Sequence, residues 1–203
     1  MTDPAGDMIN LAFALEGDDL PRDHRRALAD AVERVLPWLR GETAAGIHLL
    51  NVSAGGGPRA LLSGRTRLTL RLRRARATDA AALAGAELRI EGQPLRVGAP
   101  QLRELRPYGT LYAHLVAAGD ADEAGFLQAV QAELLALDVP CRPICGRHQV
   151  VEADRLRGFS LMLDGLSAAN ALRVMAAGLG PHRRLGCGLF VPHKSAAAVG
   201  VPA

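Results

Sequence analysis

The sequence predicts an α+β chain made of two tandem ferredoxin-like (RRM-like) halves, each running β-α-β-β-α-β. Three observations predict it. In residues 65–73, Thr66, Leu68, Leu70 and Leu72 alternate with Arg65, Arg67, Thr69, Arg71 and Arg73, as in a strand with one buried face. Leu28, Ala31, Val32, Val35 and Leu39 recur at helical spacing. The order of strand and helix signals in the first hundred residues then returns in the second, although the residues themselves do not. With 203 residues, the chain has room for two compact units of about 100 residues each.

In order, Met8 to Leu15 (MINLAFAL) is mostly apolar and reads as a central first strand. A turn at Gly17-Asp18-Asp19 leads to a helix entered through Pro21, whose fixed φ suits a first helical position. Pro37 and Gly41 stop that helix. Ile47 to Val52 is a short strand, and Ala54–Pro58, with three glycines, is a turn. The alternating strand follows, then a short helix over Thr78–Ala84 and two strands within Glu87–Val97, turning at Gly92-Gln93-Pro94. Gly98-Ala99-Pro100 marks the expected boundary between halves 1–98 and 99–203. The second half has a strand at Leu111–Val116 and a helix at Glu123–Leu137. Strands near Gln149–Val151 and Phe159–Leu163, a helix at Ser167–Ala177 and a last strand around Leu189–Val191 complete it. Residues 1–7 and 194–203 read as frayed tails.

Composition narrows the function. At 49% hydrophobic residues the chain can build a core, and disorder is not expected. Aromatic residues are only 3%, so nucleic-acid contact would lean on charge and shape rather than base stacking. The net charge of +3 is a weak hint of an anionic partner. Lys194 is the only lysine, a bias that a GC-rich genome also produces. Cys141, Cys145 and Cys187 form no disulfide framework and no complete metal-ligand set, and read as reduced thiols of a cytoplasmic protein. Neither a signal peptide nor an apolar run of the ~18 residues a membrane span needs is visible.

Two stretches carry candidate chemistry. Arg65, Arg67, Arg71 and Arg73 share one strand face, alternate residues lying ~6.6 Å apart, which suits successive phosphates of a nucleic acid. Acidic neighbours such as Glu87 or Glu91 would be the internal alternative, and Arg103 and Arg106 could extend the surface. Near the C-terminus, Gly178, Gly180, Gly186 and Gly188 bracket a basic tip of His182, Arg183 and Arg184. Such a loop lets backbone approach a phosphate closely; an ordinary glycine-rich hairpin with a solvated tip is the other reading.

This G-x-G-x₅-G-x-G loop, after a helix and before the last strand, resembles the signature of the repeat-associated RNA-binding proteins of CRISPR systems. The string GLGPHRRLGCGLFVP, the opening FALEGDDLPRDHRRAL, the segment AGIHLL and the strand SGRTRLTLRLR together resemble the Myxococcus-type subgroup of the Cas-six endoribonucleases. The resemblance implies binding of a CRISPR repeat RNA hairpin and a metal-independent cut without cofactor. In that cut the 2′-hydroxyl attacks the neighbouring phosphate, leaving a 2′,3′-cyclic phosphate and a 5′-hydroxyl. It also implies assembly with other CRISPR effector-complex subunits. A catalytic histidine then falls on His24, at the start of the first helix in LPRDH, where the helix N-terminus favours the neutral base form. His48 in AGIHLL is the second candidate, a structural histidine being its alternative. Many relatives pair the histidine with a tyrosine or lysine, and residues 20–30 hold neither, so Arg22, Arg25 or Arg26 would stabilise the phosphate.

Overall fold

A computed structural model describes residues 6–52, 57–151 and 155–194, so the expected tails lie almost wholly outside the described residues, as does most of the Ala54–Pro58 turn. The chain divides into two compact units, one of Asp7–Glu104 with Arg184–Gly186, the other built chiefly from Leu105–Arg183 and the segment after Gly186. Both are ferredoxin-like.

In the first unit β1 (Met8–Glu16) lies between β5 (Arg67–Arg73) and β7 (Gln93–Glu104), with β3 (Gly46–Ile47) and β6 (Glu87–Ile90) at the edges, giving the order β3-β5-β1-β7-β6. Every pairing in this sheet is antiparallel. The apolar side of the strands (Ile9, Leu11, Phe13, Leu68, Leu70, Leu72) packs on Leu28, Ala31 and Val32 of α1 (Arg25–Val35). The short α2 (Ala77–Ala80) and a 3₁₀ turn at Ala81–Leu83 add Ala80 and Leu83 to that core. Burying such side chains contributes about 1.5–3 kcal/mol each, enough to fix which face of every strand is inside.

Two details differ from the sequence expectation. Pro21 does not open the helix: it ends β2 (Asp19–Pro21), which pairs with β4 (Arg59–Leu61), and Arg59 holds Asp19 through bonds of 2.6 and 2.5 Å. Pairing with β4 outweighs the preference of proline for a first helical turn, and α1 begins only at Arg25. Gly98-Ala99 is not a linker either. β7 runs through it to Glu104, and the register against β1 shifts there, with Phe13 opposite Pro100 and Leu15 opposite Val97. A glycine suits the irregularity: a Cβ on Gly98 would stand 3.0 Å from that of Ala14, and the neighbour would have to give way.

The second unit carries β8 (Thr110–Ala117), α3 (Glu123–Ala136), β9 (Arg142–Val151), β10 (Leu156–Asp164), α4 (Ala168–Ala177) and β11 (Val191–Pro192), in the sheet order β11-β8-β10-β9. Asp122 caps α3 by accepting from the Gly125 N–H at 2.9 Å, and Ser167 caps α4 by accepting from Asn170 at 3.2 Å. Phe126 of α3 stacks on Phe159 of β10 with ring centroids 4.9 Å apart. No described helix is long and apolar enough to cross a membrane. None of the three cysteines is in a disulfide, and burial raises the thiol pKa of Cys141 and Cys145, favouring the protonated form.

Candidate active site and nucleic-acid interface

The start of α1, the exit of β3 and the tip of the glycine-rich loop come together within the first unit. Arg25, in the first turn of α1, is buried and donates from Nη1 to the Leu185 carbonyl at 2.8 Å. Two turns further along the same helix, buried Glu33 accepts from Arg184 of the loop through one carboxylate oxygen and from Arg40 at 3.0 Å through the other. Leu185 packs against the apolar core. Gly186, with φ +77°, lies so close to β3 that a Cβ on it would stand 3.2 Å from Arg25 Nη1, 3.3 Å from the Ile47 carbonyl and 3.4 Å from the Leu49 nitrogen. The loop tip is therefore seated on the backbone that flanks His48, whose own N–H donates to the Thr69 carbonyl at 2.9 Å.

His24 occupies the position just before α1 and is only 1% exposed. The helix start at which the sequence sets this histidine thus lies inside the core rather than in solvent. Its Nδ1 stands 3.0 Å from the Pro21 carbonyl and 3.1 Å from that of Arg22. Carbonyl oxygens only accept, so Nδ1 carries the proton and Nε2 the lone pair. Nε2 is buried and has no hydrogen-bond partner among the described residues. Burial is the largest influence on this ring and lowers its pKa below the usual histidine value, against the smaller raising effect of the two carbonyls. A neutral imidazole with a fixed tautomer and an unengaged lone pair is the chemical form a general base takes. Arg22 and Arg26 flank it with exposed side chains.

The glycine-rich loop uses most of its polar groups on the protein itself. Arg183 donates to the carbonyls of Ala176, at 2.9 Å, and Ala177, closing the C-terminal end of α4, and its burial lowers the guanidinium pKa. The Gly180 N–H donates to Glu133 at 2.9 Å and the Gly188 N–H to the Leu115 carbonyl at 2.8 Å. His182, exposed at the tip, shares a left-handed backbone (φ +67°) with Gly178, Gly180, Gly186 and Gly188. At Gly188 both reasons for glycine apply: φ is +65°, and a Cβ would collide with the Leu179 carbonyl. Gly188→Ala is expected to destabilise the chain by about 2 kcal/mol or more, read as a lowered Tm in thermal unfolding.

The arginine strand differs most from its expectation. Arg65 and Arg73 are exposed, and Arg67 is half-buried, donating to the carbonyls of Gly64 and Thr66 at 2.8 Å. Arg71 is 0% exposed and donates from Nε to Asn10 at 3.1 Å. The reason is its position in the sheet. Arg71 faces Gly46 on β3 and Asn10 on β1, and Asn10 faces Arg103 on β7, so Arg71 sits mid-row rather than on an open edge. Nor do Glu87 and Glu91 neutralise β5: Glu87 lies on β6 at the far side of the sheet and pairs with Arg89 at 2.7 Å, while Glu91 is in the turn beyond it. Among the described residues, no group of three or more His, Cys, Asp or Glu side chains is gathered as metal ligands would be.

The Cas6 family model, "Cas6 Crispr", matches residues 9–195. The chain belongs to the Cas6 family. It is 37% identical over 194 residues, 94% of this chain and 84% of the relative, to the CRISPR-associated endonuclease Cas6 of Myxococcus xanthus (strain DK1622). Among solved structures it resembles a CRISPR-associated protein Cas6 with a TM-score of 0.63 and 11% identity over 92% of this chain and 100% of that one. A Cas6-related protein of Pyrococcus furiosus gives 0.60 and 12%, over 91% of this chain and 98% of that one. At such identities the structures establish the Cas6 fold, while the Myxococcus relative and the family model establish membership. Of the residues the sequence singles out, Arg25 bonds the loop tip, and Gly186 lies against the backbone on either side of His48. Glu33, the one buried carboxylate among the described residues, is not singled out by the sequence.

Proposed function

We propose that this chain is a metal-independent endoribonuclease that cuts CRISPR precursor RNA within the repeat and stays on the repeat hairpin as an effector-complex subunit. The observation that carries this reading is the 37% identity, across 94% of the chain, to an endonuclease of CRISPR systems. In the cut, the 2′-hydroxyl loses its proton and attacks the adjacent phosphorus. The bond from phosphorus to the 5′-oxygen breaks, that oxygen takes up a proton, and a 2′,3′-cyclic phosphate and a 5′-hydroxyl remain. His24 Nε2 is the proton acceptor in this reading, its ring held by two backbone carbonyls in the way an orienting acceptor holds a catalytic imidazole. His48, half-buried beside the seated loop, is the second candidate and would return the proton. Exposed Arg22, Arg26, Arg65 and Arg73 would meet the RNA backbone.

Two observations favour a second reading, a repeat-RNA binding and assembly subunit that does not cut. His24 is buried, and residues 20–30 contain no tyrosine or lysine to assist it. Binding of a labelled repeat hairpin across a salt series, with the products run on a denaturing gel, separates the possibilities. The endonuclease reading expects a single cut and an affinity that falls steeply with salt; Arg65→Ala or Arg73→Ala should each flatten the slope of log K against log salt by up to about one. Salt-dependent binding without any cut supports the assembly subunit, and absence of binding contradicts both.

A further inference from the structure

The catalytic reading leaves unexplained why a surface loop carries an ion pair to a buried carboxylate. Glu33 is 4% exposed, yet both its oxygens take guanidinium groups, Arg40 on one and Arg184 on the other. Arg184 itself is substantially exposed, with 43% of its side-chain surface accessible. A residue whose purpose was to display charge would not need such a partner. Its neighbour Leu185 is fixed twice more, by the 2.8 Å bond from Arg25 to its carbonyl and by packing of its side chain on the core. Gly186 then rests on the backbone of Ile47 and Leu49 on either side of His48.

We propose that Glu33 is a positioning residue: with Arg25 it latches Arg184 and Leu185 to α1, and so holds the loop tip, Arg184–Gly186, against the β3 exit that carries His48. Neither Glu33 nor Arg25 need touch RNA for this; Glu33 acts through Arg184, and Arg25 through the loop backbone. Each contact is between groups far apart in sequence, so each orders a loop whose glycines would otherwise sample many conformations. Charge-assisted bonds of this kind are about twice as strong as neutral ones, but the exposure of Arg184 tempers the ion pair, so removal of either partner is worth roughly a tenfold effect.

The latch rests on the endonuclease reading for its kinetic arm only, and a protease arm judges it independently. In Glu33→Gln, trypsin should cut after Arg183 or Arg184 about tenfold faster than in the unmodified chain, with the far-UV circular dichroism unchanged. In single-turnover cleavage at saturating repeat RNA, Glu33→Gln and Arg184→Ala should each slow the cut about tenfold. The double variant should be no slower than either alone, because both remove the same contact. Arg184→Lys should recover part of the rate, and Arg184→Ala should keep the unmodified Tm if the effect is positional. Unchanged trypsin cutting in Glu33→Gln, or effects of the two substitutions that multiply, would overturn the latch. If the unmodified chain cuts no repeat RNA, the function reading fails and the trypsin arm alone decides the latch.

Discussion

Replacing His24 with alanine or glutamine should slow single-turnover cleavage of repeat RNA by roughly 10²–10⁴-fold, the range expected for loss of a general base, with hairpin affinity nearly unchanged. Glutamine is the sharper test, since its amide can donate as Nδ1–H does to the Pro21 and Arg22 carbonyls but has no basic nitrogen. The pH profile adds a signature that a structural histidine would not produce. A base must be unprotonated, and burial holds the His24 pKa below its ordinary value of 6.5. The rate should therefore stay level from neutral pH down through 6.5 and fall only at more acid pH. Stability follows the same ring. Because the unfolded chain takes up the proton first, the folded state is at full strength above pH 6.5 and loses stability as pH falls from there through the lower folded value. In His24→Gln that part of the acid loss should disappear. Equal loss of affinity and rate in both variants would make His24 a structural residue or a simple contact.

Arg71→Ala should weaken the fold itself, by about 3 kcal/mol, and not merely the grip on RNA. Its side chain is fully buried and bonded to Asn10 in the middle of a cross-strand row, so truncation leaves both a cavity and a polar group without its donor. A lowered unfolding midpoint in denaturant, with RNA affinity per folded molecule little changed, is the expected result. Arg65→Ala and Arg73→Ala should show the opposite pattern, because both side chains lie in solvent. If Arg71→Ala kept the unmodified midpoint and lost only affinity, the burial of Arg71 would not describe the protein in solution.

The contrast between these arginines shows where the sequence is legible. Alternation in residues 65–73 places Leu68, Leu70 and Leu72 on the core face, as the structure does. That period cannot say whether the opposite face is open, because burial there depends on which strands lie beside β5. For Arg71 those are β3 and β1, not the strand bearing Glu87. The helical spacing of Leu28, Ala31 and Val32 likewise identified the inner side of α1, while its start moved to Arg25 because the β2–β4 pairing claimed Pro21. In the loop, the glycines announce an unusual backbone, and φ is positive at Gly178, Gly180, Gly186 and Gly188. The partners of its arginines were not legible. Arg184 lies 151 residues from Glu33, and nothing in a single sequence joins two charges so far apart. Glu33 reads from its neighbours as an ordinary helix acid, yet it is buried, with Arg40 and Arg184 on its two oxygens.

The central claim is most directly tested by incubating the purified chain with its host's CRISPR repeat RNA in excess EDTA and analysing the ends of the fragments. One cut leaving a 2′,3′-cyclic phosphate and a 5′-hydroxyl is the predicted result. Tight binding with no cut, or a cut that appears only when a divalent metal is restored, would contradict it.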